Sequence, residues 1–197
     1  MASRRDRLKG TAKAVWDSFL PRRAAAASLP PPWLLVNGAG GGVGGFTVQL
    51  AKEAGAIVIA TASPRSTDTV RAFGADHIVD YTATKIAEAV KDPVDVVVNL
   101  VAGSREDTEA LLDVTKPGGV LVSATSPGGE FPERDATVIF FSVRSDPVQL
   151  AHIVDRVEAG HVRLDISDRC PLADARLVHE QSEAGAIRGR ALLIPER

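Results

Sequence analysis

The chain has 197 residues, 45% of them hydrophobic and 24% charged, and a formal net charge of -2, which excludes a disordered or fibrous protein and gives no electrostatic case for a nucleic-acid or anionic-membrane partner. That length builds one well-buried core and is short for two ordinary domains. A single cysteine, Cys170, excludes an internal disulfide and a cysteine-rich zinc site, and the absence of a secretory signal or of an apolar run near the roughly 20 residues of a membrane helix points to the reducing cytoplasm.

In chain order, Leu8, Ala12, Val15, Trp16 and Phe19 recur at helical spacing and predict an amphipathic helix ending before Pro21. Arg4, Arg5, Arg7, Lys9, Lys13, Arg22 and Arg23 make this segment basic against only Asp6 and Asp17, a pattern read as a solvated terminus. An alanine run and Leu29-Pro30-Pro31-Pro32 then predict an extended linker, because consecutive prolines neither continue a helix nor donate ladder hydrogen bonds. Residues 1–32 are thereby set apart from a domain over 33–197.

From Trp33 short apolar runs alternate with helical stretches, the pattern of repeated βαβ units. Strands are predicted at 33–37, 57–60, 77–80, 94–100, 120–123, 137–143 and 191–194, and helices at 43–54, 66–73, 84–91, 105–114, 147–159 and 173–182. The expected architecture is a doubly wound α/β Rossmann fold, a mostly parallel six-stranded sheet with helices on both faces. At a sheet edge, the apolar run Thr137-Val138-Ile139-Phe140-Phe141 would offer unpaired backbone groups to a second copy, so a homodimer is expected.

The first predicted strand runs through Asn37-Gly38-Ala39-Gly40-Gly41-Gly42-Val43-Gly44-Gly45 into a helix, and Gly40, Gly42 and Gly45 satisfy G-x-G-x-x-G between a strand and an amphipathic helix. Residues without side chains let the backbone approach a diphosphate, while free N–H groups and the positive helix end face the anion. A dinucleotide is the expected ligand. The second strand runs on into Thr61-Ala62-Ser63-Pro64-Arg65 with no acid to take the ribose hydroxyls, and a hydroxyl with a guanidinium suits the 2′-phosphate of NADP(H).

The run Leu35-Val36-Asn37-Gly38-Ala39-Gly40-Gly41-Gly42-Val43-Gly44 resembles the nucleotide-binding half of the quinone-oxidoreductase branch of the medium-chain dehydrogenase/reductase superfamily. Gly74-Ala75-Asp76, Val79-Asp80-Tyr81, Asp95-Val96-Val97-Val98-Asn99, Pro117-Gly118-Gly119 and Phe140-Phe141-Ser142-Val143-Arg144 resemble its later segments in order, and Arg188-Gly189-Arg190 its closing R-G-K. The resemblance implies that Gly38, Gly41, Gly42, Val43 and Gly44 cradle the pyrophosphate, that Ser63 and Arg65 meet the adenosine phosphate and that Tyr81 holds that end. It implies further that Val101, Ala102, Phe141 and Val143 border the ribose and nicotinamide, and it adds Arg188 to the cofactor site. Asn99 stands where the family often has aspartate.

The family's catalytic domain has no counterpart here, and Thr11-Ala12-Lys13-Ala14-Val15-Trp16-Asp17 resembles the helix joining its two domains. The expected function is the NADPH-binding part of a quinone or enoyl reductase-like oxidoreductase, with a partner as one source of the second wall of the substrate cleft. A non-catalytic NADPH-binding module docking to another protein, or a truncated reductase remnant, is the alternative.

Gly38-x-x-x-Gly42-x-Gly44 with Tyr81-x-x-x-Lys85 also matches a short-chain dehydrogenase, although its catalytic tyrosine belongs on a helix after the fifth strand. His77, His152, His161 and His179 lack metal-ligand spacing and read as packing or surface residues, Cys170 as a buried inert thiol, and Asp92 and Asp95 as loop carboxylates.

Overall fold

The computed structural model describes residues 30–125, 130–141, 143, 145–187 and 189–195. The predicted N-terminal helix, nearly all of the linker, and Arg188 lie outside these residues.

Strand β1 (Trp33–Asn37) leads through α1 (Gly44–Glu53) to β2 (Ile57–Ala62), and α2 (Thr67–Ala72) leads on to β3 (His77–Asp80). After a single helical turn, α3 (Ile86–Ala89), come β4 (Val94–Asn99), α4 (Arg105–Asp113), β5 (Thr115–Ser123) and β6 (Ala136–Phe140). These strands form one sheet in the order β3-β2-β1-β4-β5-β6, and all five pairings are parallel. The order reverses between β1 and β4, the place where doubly wound sheets open a crevice at their strand C-termini.

Side chains that alternate along the strands divide between two cores. Leu34, Val36, Val58, Ala60 and Val96 pack with Val48 and Ala51 of α1 and Val70 of α2 on one face. Leu35, Ile59, Val97 and Leu121 pack with Leu111 and Leu112 of α4 and with Ile86 of α3 on the other. Helices therefore cover both faces, as expected for a doubly wound sheet.

Departures from the predicted elements have local causes. The predicted helix 84–91 shrinks to the four residues of α3 because the N–H groups of Ala83 and Thr84 both turn back onto Asp80 O, and Lys85 is extended. β5 begins five residues before the predicted start, and a register shift between the Val94 and Val96 pairings absorbs its Pro117-Gly118-Gly119 segment. Asp95 is not a loop carboxylate: it lies on β4 and accepts from Trp33 N at 2.8 Å, fixing the start of β1. His77 stacks on Trp33 with ring centroids 5.4 Å apart.

The C-terminal part holds α5 (Pro147–Glu158), β7 (Ile166–Pro171), α6 (Ala175–Glu183) and β8 (Arg190–Ile194). β7 is a strand the sequence pattern did not foretell, and β8 pairs in parallel with it instead of joining the main sheet. This part docks onto α1 and the turn before it, with Arg156 paired to Glu53 and the Arg190 guanidinium 4.6 Å from the centroid of the Phe46 ring. Buried Gln49 exchanges hydrogen bonds with the Arg163 backbone at 2.7 and 3.0 Å, and Gly41 bridges to Gly189.

Candidate functional site

At the C-terminal end of β1 the chain turns through Gly38, whose φ of 93° lies in the region that favours glycine, and Gly41 N closes the turn on Gly38 O at 3.1 Å. Helix α1 opens at Val43, whose side chain offers no cap, and Gly45 N donates to Gly41 O at 3.2 Å. Gly44 serves packing: a Cβ there would come within 2.5 Å of Ala39 Cα, and backbone on backbone leaves nothing that can yield. The corner can therefore press the helix against the strand only while residue 44 lacks a side chain.

Beside this corner lies a groove of about 360 Å³ lined by Gly38, Gly40 and Gly41 from the turn, Ser63, Arg65 and Ser66 from beyond β2, Tyr81 from beyond β3 and Val101 from beyond β4. That volume is in the range of small-molecule sites. Six residues singled out from the sequence, Gly38, Gly41, Ser63, Arg65, Tyr81 and Val101, thus share one groove. Gly42 and Val43 stand next to it on the turn, Gly42 facing Arg190. Ala102, Phe141 and Val143 do not line it, and Val143 is 88% exposed. Arg188 lies outside the described residues, although Ile187 lines the groove.

Beneath the groove runs a row of polar side chains that sequence reasoning missed. Gly38 N donates to Thr61 Oγ1 at 2.9 Å and Thr61 Oγ1 donates to Asn37 Oδ1 at 3.1 Å. Asn37 Nδ2 donates to Asn99 Oδ1 at 2.9 Å, and Asn99 Nδ2 to Ser123 Oγ at 3.3 Å. The row crosses β2, β1, β4 and β5 because register aligns Asn37 with Asn99 and Asn99 with Ser123. Asn99 Oδ1 also accepts from Val101 N at 3.2 Å, which ties the row to the groove wall. Its one trace in the sequence is a polar residue at or near the end of each apolar run.

Tyr81 and Lys85 do not form a short-chain catalytic pair. Tyr81 follows β3 directly, in a turn closed on Asp80, and Lys85 is extended, so no helix sets them four residues apart on one face. Among the described residues no three His, Cys, Asp or Glu side chains could hold a metal ion. Cys170 is half-buried on β7. No described helix is long and apolar enough to cross a membrane.

The family model described as zinc-binding dehydrogenase matches residues 73–193. A quinone oxidoreductase of Pseudomonas aeruginosa is 28% identical over 82% of this chain and 56% of that protein. The quinone oxidoreductase of Coxiella burnetii superposes with a TM-score of 0.75 at 27% identity, over 87% of this chain and 55% of its own. The CurK enoyl reductase superposes at 0.71 and 25% identity, over 91% and 60%. The chain spans little more than half the length of these relatives, and its described residues do not fit the zinc ion of the family's description. With the match extending over more than half of its residues, the chain belongs to the zinc-binding dehydrogenase family, as the nucleotide-binding half of its quinone-oxidoreductase-like, medium-chain type.

Proposed function

We propose that this chain holds NADP(H) in the groove beside the glycine corner, as the nucleotide-binding part of a quinone or enoyl reductase-like oxidoreductase. The observation that carries the reading is the convergence of Gly38, Gly41, Ser63, Arg65, Tyr81 and Val101 on one groove where the strand order reverses. The backbone N–H groups at Gly42 to Gly44 and the positive end of α1 suit a diphosphate. Ser63 and exposed Arg65 suit the 2′-phosphate, and among the described residues no carboxylate lines the groove to repel it.

Bound there, the cofactor supplies a hydride to a small acceptor whose double bond is conjugated with a carbonyl, and the chain's part is to bind and orient it. Among the described groove-lining residues, apart from the permanently charged Arg65, only Tyr81 carries an acidic proton, and it follows β3 beyond β2 from the corner, so the acceptor's proton comes from solvent or from a partner. A second domain or polypeptide would exclude water from the reacting end, which one open wall does poorly.

The β7–β8 layer favours a second reading alongside this one, a binding module that acts through a protein partner. Parallel sheets are normally covered on both faces, yet β7 and β8 stand as a pair with Leu164, Leu172, Leu192 and Ile194 exposed. Edge strand β6 further supports a homodimer.

Parallel titration of NADPH and NADH into the wild type and Arg65→Glu tests the cofactor reading. The expected result is a clear NADPH preference that the substitution erases, leaving NADH affinity within about two-fold, since the lost interaction is charge-assisted and confined to the 2′-phosphate. Equal wild-type affinities would overturn the specificity, and binding by neither form would overturn the site. Assay against quinones and enones then separates reductase from module.

A further inference from the structure

The floor of the groove at β4 is uncharged by construction. Asn99 is 4% exposed, and its side chain meets only neutral groups: Asn37 Nδ2, Val101 N and Ser123 Oγ. The same site would accept a carboxylate without rearrangement. Asn37 Nδ2 and Val101 N would donate to an aspartate oxygen as they do to Oδ1. Among the described residues lining the groove Arg65 is the one cation and there is no acid.

This neutrality bears on a ligand whose own charge changes with its redox state. A nicotinamide ring is a cation when oxidised and neutral when reduced, so a fixed charge nearby acts on one form and not on the other. We infer that Asn99 is a positioning residue that holds the Val101 wall with an uncharged amide and so keeps out of the site the carboxylate that would favour the oxidised cofactor. The inference rests on the dinucleotide reading above and on the nicotinamide half lying over the end of β4. A carboxylate at residue 99 would favour the oxidised form, and a unit charge about 10 Å from another at an effective dielectric of about 20 shifts such a balance on the order of ten-fold.

The experiment measures dissociation constants for NADPH and for NADP+ with the full chain. In Asn99→Asp the ratio of the NADPH constant to the NADP+ constant is expected to rise about ten-fold. Ala102→Asp, an exposed change just beyond the same strand, is expected to raise it by a smaller factor. Ser123→Ala cuts the polar row without adding charge, so both constants move together and their ratio stays at the wild-type value. An unchanged ratio in Asn99→Asp overturns the inference, and if Asn99→Asp does not fold, an unchanged ratio in Ala102→Asp overturns it by removing its electrostatic premise. Binding of neither form by the wild type overturns the cofactor reading and this inference with it, an outcome distinct from intact binding with an unmoved ratio.

Discussion

Lys52 Nζ lies 2.7 Å from Asp76 Oδ2, and the same carboxylate oxygen accepts from Val58 N at 2.7 Å, so one aspartate fastens α1 to the start of β2 and to the approach to β3. Burial pushes this carboxyl up, but the Lys52 hydrogen bond, the Val58 N–H and the charges of Lys52 and His77 together hold it below the ordinary aspartate value. A carboxylate with a lowered folded-state pKa stabilises the fold above its unfolded value, and that contribution disappears as pH falls through the folded value. Asp76→Asn should therefore cost about 1 kcal/mol at neutral pH, a figure kept small because both side chains are about a third exposed. Thermal unfolding from pH 7 to pH 3 checks this. The gap between wild type and variant should narrow below about pH 4, and a constant gap would contradict the assignment.

Gly44 and Gly41 separate packing from ligand contact. An added Cβ at 44 meets the Ala39 backbone, whereas one at 41 meets only Gly38 O at 3.4 Å. Gly44→Ala should lose about 2–3 kcal/mol of stability, together with nucleotide binding. Gly41→Ala should unfold within about 1 kcal/mol of the wild type while binding NADPH more weakly. Urea denaturation and NADPH titration on the pair distinguish the roles, and equal destabilisation of both would remove the distinction.

The edge of the main sheet is β6, where Phe140 is 46% exposed and Ile139 is buried. Lysine at 139 would strike the core, so Phe140→Lys is the cleaner probe of association. Light scattering should find a wild-type dimer and a Phe140→Lys monomer whose unfolding temperature changes by no more than a few degrees. A monomeric wild type at high concentration would refute pairing through this strand.

What the sequence disclosed follows from which interactions leave a local pattern. β1, β2 and β4 are buried on both faces, so Leu34-Leu35-Val36 and Val96-Val97-Val98 read as continuous apolar runs. β7, Ile-Ser-Asp-Arg-Cys-Pro, is half-exposed and carries no such run, because only its parallel ladder with β8 makes it a strand. Within the site, the glycine corner announced itself through composition, and Arg65 and Tyr81 through their place after strand ends. Thr61, Asn37, Asn99 and Ser123 did not, since each alone is an ordinary polar residue closing a strand. Register, a property of paired chains, is what joins them.

The bridge from Gly41 to Gly189 links the glycine turn after β1 to the residue just before β8. A contact of such sequence separation carries a loop-closure cost that the local turn does not, so the corner's backbone ties depend on the docking of the C-terminal part as well as on the glycines.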